Sequence, residues 1–146
     1  MCTRFLLLAT VVTLTLACGT SYRVIGSAME PNFSDGTEIR VDEARAEDIR
    51  RGDVITFRFP PDPERVFIKR VVGLPGERVE IREGAVIVDG RQYREPYEVI
   101  RDRASMPEIQ LAPGEYFLLG DNRPSSNDSR NWGPLPANHI TGTVPQ

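Results

Sequence analysis

Cysteine is almost absent from this chain: Cys2 and Cys18 are the only two, and both fall within the first eighteen residues. The body therefore has no thiols to bridge, and no CxxC to hold a metal or a redox pair. Histidine is scarcer still. His139 stands alone, which leaves a Ser-His-Asp triad without support. No HExxH phrase and no His/Cys cluster occurs, so a zinc site is not expected, and no other cofactor is implied. The net charge is only −3 with 27% charged residues and no basic stripe, which argues against nucleic acid as a partner. Long hydrophobic runs are lacking too. The longest, residues 5–17, falls short of the roughly 20 residues a spanning helix wants. Helical periodicity is weak throughout, and only residues 43–51 read as a possible helical turn.

What is present is strand chemistry in one unit of 146 residues, large enough for a core without disulfide staples. Residues 37–42 alternate with period two; 53–59 form a second run closed by Pro60-Pro61, and 66–72 a third that ends in Gly73-Leu74-Pro75-Gly76. Residues 78–81 and 85–88 flank Arg82-Glu83-Gly84 as a hairpin. Residues 116–119 and 140–144 complete the set. Twelve prolines and twelve glycines suit short strands and many turns. The expected class is mostly β, compact and antiparallel.

Two features carry chemistry. In the third strand, alternation puts Lys69 on one face with Phe67 and Val71, while Ile68, Arg70 and Val72 point the other way. Apolar flanks penalise the ammonium form, which is how a lysine comes to serve as a base near neutral pH. Taken by itself, such a lysine also reads as an edge gatekeeper with its head in water. The second feature is the turn Gly120-Asp121-Asn122-Arg123, followed by Ser126, Asp128, Ser129 and Arg130. By composition it is equally a hydrogen-bonded surface loop.

Residues 120–133, GDNRPSSNDSRNWG, and 69–77, KRVVGLPGE, together resemble type I signal peptidase, a membrane-bound serine protease that uses a Ser/Lys dyad to remove signal peptides. The GDVITF strand at 52–57 extends the resemblance, which runs from about Val24 to Gly142. It implies the β fold shared by signal peptidases and self-cleaving repressor proteases, with a shortened variable insertion around 77–115. It places Lys69 as general base, Ser126 as the residue that hydrogen-bonds and orients it, and Asp121, Asp128, Arg130 and Arg70 as braces. Gly26, Met29 and Pro31 fall in the substrate groove. The implied partner is the extended signal peptide of a secreted pre-protein, at a membrane surface.

The nucleophile phrase departs from the family pattern. Where the family has a serine before Met-x-Pro, this chain reads Gly26-Ser27-Ala28-Met29-Glu30-Pro31. A methyl group has no oxygen to attack a carbonyl, so Ala28 cannot form an acyl-enzyme. Three explanations stand: a pseudoenzyme that keeps its peptide groove, an active peptidase using Ser27, or an alanine substituted to trap the resting state. Ser27 is a poor substitute, because neighbours in an extended segment face opposite ways. A repressor-type protease should carry a DNA-binding or cleavable arm instead of an export segment, and a purely structural lipoprotein has no need of Lys69 and Ser126.

The N-terminus reads as that export segment, residues 1–17. Arg4 precedes the apolar run, and Leu14-Thr15-Leu16-Ala17-Cys18 resembles a bacterial lipobox, whose cysteine becomes lipidated. An uncleaved anchor is the alternative. Both put residues 18–146 on the extracytoplasmic face of a bacterial cytoplasmic membrane.

Overall fold

The computed structural model describes residues 19–59 and 61–146. The export segment and Cys18 lie outside the described residues, and among those described no helix is long and apolar enough to cross a membrane.

Among the described residues, eleven strands form three antiparallel sheets. β1 (Thr20–Arg23) pairs with β2 (Glu38–Val41). The central sheet is built on the hairpin of β3 (Val54–Phe59) and β4 (Asp62–Gly73). β4 is longer than its apolar run suggested, because Asp62 still pairs with Phe59 across the turn. The stretch at 78–110 supplies β5 (Arg78–Arg82), β6 (Ala85–Val88), β7 (Arg91–Gln92) and β8 (Met106–Gln110), a four-stranded sheet in the order β7-β6-β5-β8. The chain then returns through β9 (Glu115–Leu119), β10 (Leu135–Pro136) and β11 (Ile140–Val144), which complete the central order β10-β9-β4-β3-β11.

The expected turns form where the chemistry asks for them. Glu83 and Gly84 both take positive φ, 47° and 83°, between the paired Arg82 and Ala85. That is the two-residue geometry which matches strand twist. Residues 43–51 hold one 3₁₀ turn, Ala46–Asp48. The only α-helical turn among the described residues is α1 (Ser129–Trp132), whose N-cap is Asp128: its carboxylate accepts from the Arg130 N–H.

Three apolar clusters fill the sheets. Val72, Val79, Ile81, Val86 and Phe117 join the four-stranded sheet to the central one. Ile55, Phe57, Val71, Leu118 and Leu135 lie on one face of β3 and β4, with Phe67 and Trp132 against them. Val24, Met29, Ile39, Val41, Val54 and Val144 lie between β1, β2 and the rest, with Ile68 against them. Phe67 and Val71 thus share one face of β4 while Ile68 packs on the other, as period-two alternation requires.

Candidate active site

Lys69 sits on β4 opposite Ile55 of β3 and is only 6% exposed. It lines a cleft of about 590 Å³ whose walls are residues 22–26 with Ala28 and Met29 on one side and 64–69 on the other. Nζ donates to Ile68 O at 3.1 Å. Burial pushes the amine below the ordinary lysine value, and the Asp128 and Asp121 carboxylates oppose that shift. Neither carboxylate is free to pair with it. Asp121 receives Nε and Nη2 of Arg70 at 2.8 and 2.6 Å, and Asp128 receives Nε and Nη2 of Arg130 at 2.8 and 2.9 Å. Each acid near the lysine is thus held by an arginine fork, and desolvation of the amine outweighs their attraction for its charged form.

Because the native amine holds its proton less tightly than the unfolded one, the unfolded chain binds more protons between the two pKa values. Stability should therefore rise with pH from the native pKa up to about 10.4, and be lowest, by the full burial penalty, below the native pKa. Urea titrations of the chain against Lys69→Met at a series of pH values should show this trend in the difference. NMR of Nζ-labelled lysine reads the pKa directly; a midpoint at or above the ordinary value would overturn the assignment.

Residue 28 is held over this cleft by its main chain. Asn122 N–H donates to Ala28 O at 3.0 Å, and Asn122 Nδ2 to Ser27 O at 3.1 Å. Asn32, four residues on, donates Nδ2 to both Asp121 Oδ2 and Glu98 O at 2.8 Å. Gly120 makes the close approach possible: a Cβ there would stand 2.2 Å from Ser126 Oγ and 2.6 Å from Ala28 O. Ser27 is exposed and is not part of the cleft lining.

Behind the lysine lies a buried ionic frame. Arg70 and Asp121 are 1% and 0% exposed. Arg70 also donates Nη1 to Gly52 O at 2.8 Å and to Gln146 Oε1 at 3.2 Å, and Tyr97 places its ring 3.8 Å from the guanidinium carbon. Burial, with Glu95 nearby, raises the Tyr97 phenol far above its ordinary value. Arg123 pairs with Glu95 and donates to Gly120 O at 2.8 Å, while Arg130 reaches Asp102 at 2.8 Å.

Some expectations need correcting. The hydrogen bond expected between Ser126 and Lys69 is not made: Ser126 Oγ is buried without a partner, pressed against Gly120, and the amine turns to a backbone carbonyl. Pro31 is exposed and outside the cleft lining, because the turn that hydrogen-bonds Phe33 N to Met29 O carries it away. Met29, 1% exposed, is chiefly a core anchor whose edge reaches the cleft. Gly26 does line it, at φ 90°. Sequence reasoning missed Asn32, Glu95, Tyr97, Asp102 and Asn122. Only the acids and tyrosines of YREPYE (93–98) could have pointed to Glu95 and Tyr97.

A family model described as "Signal peptidase, peptidase S26" matches residues 1–145. The chain belongs to the type I signal peptidase family. It is 33% identical to signal peptidase I V of Bacillus subtilis (strain 168), over 97% of this chain and 96% of that protein. It is also 33% identical to signal peptidase I of Bacillus caldolyticus, over 96% of this chain and 85% of the relative. The crystal structure of a signal peptidase I from Enterococcus faecalis V583 superposes with a TM-score of 0.56 at 30% identity, covering 66% of this chain and 97% of that one.

Proposed function

We propose that this signal peptidase homologue binds the extended signal-peptide segment of secreted pre-proteins in the Lys69 cleft and, with Ala28 at the nucleophile position, does not cut it. The observation that carries this reading is that Ala28 and Lys69 line one cleft while Ser27 stands outside it. The cleft's shape supports the ligand class. β9 pairs with β4 only at Arg70, Val71 and Gly73, so the opposite edge of 64–69 from β3 has no strand neighbour among the described residues. An extended peptide can pair there through its main chain and place alternate side chains in the cleft. The test is a pre-protein with small residues at −3 and −1, expected to bind and remain whole; cleavage by the unmodified chain that Ser27→Ala stops would favour Ser27 as nucleophile.

The same reading puts the body at the extracytoplasmic membrane surface, tethered through a lipidated Cys18. Intact-mass analysis of membrane-extracted protein should then find a chain starting at Cys18 with acyl mass. A retained Met1 or Thr3 favours the uncleaved anchor instead.

A further inference from the structure

The chain carries eighteen Lys and Arg side chains, and Lys69 is the only lysine among them. Wherever a permanent cation suffices this sequence uses arginine, from the exposed Arg23–Glu38 and Arg45–Glu47 pairs to the buried Arg70–Asp121 pair. Arginine keeps its proton in proteins, whereas lysine can lose its proton and then has a lone pair to use. The single exception is thus the one side-chain primary amine of the chain, and it lies in the wall of the cleft.

In the dyad such an amine spends its lone pair on a serine hydroxyl, which Ala28 does not have. Its hydrogen bond to Ile68 O uses an N–H, so in the neutral amine this contact does not engage the lone pair. Asp121 and Asp128 are held by Arg70 and Arg130, so neither forms an ion pair that would fix the ammonium form. Ser126 Oγ, buried and unpartnered, is a further hydroxyl beside residue 28. We infer that Lys69 itself is a covalent capture site, forming an imine with the aldehyde carbon of an extended peptide aldehyde lodged in the cleft. This rests on the reading of the cleft as a peptide site.

The step balances without an oxidant or a metal. The amine lone pair adds to the carbonyl carbon, and the carbonyl oxygen takes up a proton to give a carbinolamine. Loss of one water, carrying that oxygen and two protons, one of them from nitrogen, leaves the C=N bond after the second N–H proton is released. Lysine desolvated by its surroundings is suited to this chemistry.

The sole lysine makes the test direct. The full chain is incubated near neutral pH with acetyl-Leu-Ala-alaninal and sodium cyanoborohydride, which reduces an imine to a stable secondary amine. Peptide mapping should find the adduct on Lys69, with a rate that saturates as the aldehyde rises and falls when the matching alcohol, acetyl-Leu-Ala-alaninol, is added. In Ala28→Ser the restored hydroxyl competes for the same carbon as a hemiacetal, which the reductant leaves alone, so labelling of Lys69 should drop severalfold. Labelling confined to the N-terminal amine, or a Lys69 rate that never saturates, overturns the inference. Calorimetry with the alcohol separates the two levels of the argument. If the alcohol binds and Lys69 stays unlabelled, the capture site is wrong and the peptide cleft stands; if there is neither binding nor labelling, both fall.

Discussion

Ala28→Ser should turn a chain with no measurable cleavage of a pre-protein into one that cuts it, raising the rate by about three orders of magnitude or more. Removing a nucleophile from an intact serine protease costs on the order of 10⁶ in kcat, and the smaller figure allows for a site whose Ser126 hydroxyl must also turn toward Lys69. Two other requirements are met by the geometry. Lys69 is buried in the cleft with a depressed pKa, and the turn carrying residue 28 is fixed by Asn122 and Asn32. The residue-28 N–H belongs to the main chain and can still face a developing oxyanion. Lys69→Ala on top of Ala28→Ser should return the rate to background, and Ser27→Ala should leave the unmodified chain unchanged. Gel assay of a pre-protein with small residues at −3 and −1 reads all three. An Ala28→Ser protein that folds normally and stays inert would show that the site has drifted by more than one oxygen.

The largest effect on stability is expected at the Arg70–Asp121 pair. Asp121→Ala leaves a guanidinium 1% exposed without its carboxylate, and breaking one side of a buried pair costs about 3–5 kcal/mol. In a chain of this size that corresponds to a fall in Tm on the order of 10 °C. Asn32 loses an acceptor in the same change, so the turn holding residue 28 should loosen as well. Glu38→Ala breaks an ion pair between side chains 66% and 75% exposed and should cost about 0–1 kcal/mol. Replacing both buried partners, Arg70→Met with Asp121→Leu, should be less damaging than Asp121→Ala alone, because no charge is stranded. Thermal and urea denaturation of the four proteins checks the ranking. A loss below about 1 kcal/mol for Asp121→Ala would mean that Gly52 O, Gln146 and Tyr97 already satisfy Arg70.

The strands at 54–59, 78–82, 85–88 and 140–144 were legible because alternation and turn residues are local signals. β1, β8 and β10 were not: they are short, largely exposed or interrupted by proline, and they exist because a neighbour supplies the pairing. The same division holds in the site. Lys69, Asp121, Asp128 and Arg130 stand in contiguous phrases. Tyr97 over Arg70, Glu95 under Arg123 and Asn32 against Asp121 come from an irregular segment and a turn, with partners up to 89 residues away. Nothing in a local pattern encodes such a distance. Ser126 shows the opposite limit, since its phrase matched while its hydrogen bond depends on which way one hydroxyl turns.

The grip on residue 28 is made by carbonyl oxygens, with Asn122 holding Ala28 O and Ser27 O and no part asked of the side chain. A cutting and a non-cutting protein can therefore share one backbone and differ by a single atom. Serine and alanine codons of the TCN and GCN type are one base apart, so a lineage can cross between the two states without passing through a misfolded ancestor. Under the proposed function, selection on peptide binding would keep the architecture in repair, and Ala28→Ser would bring catalysis back in a single point mutation.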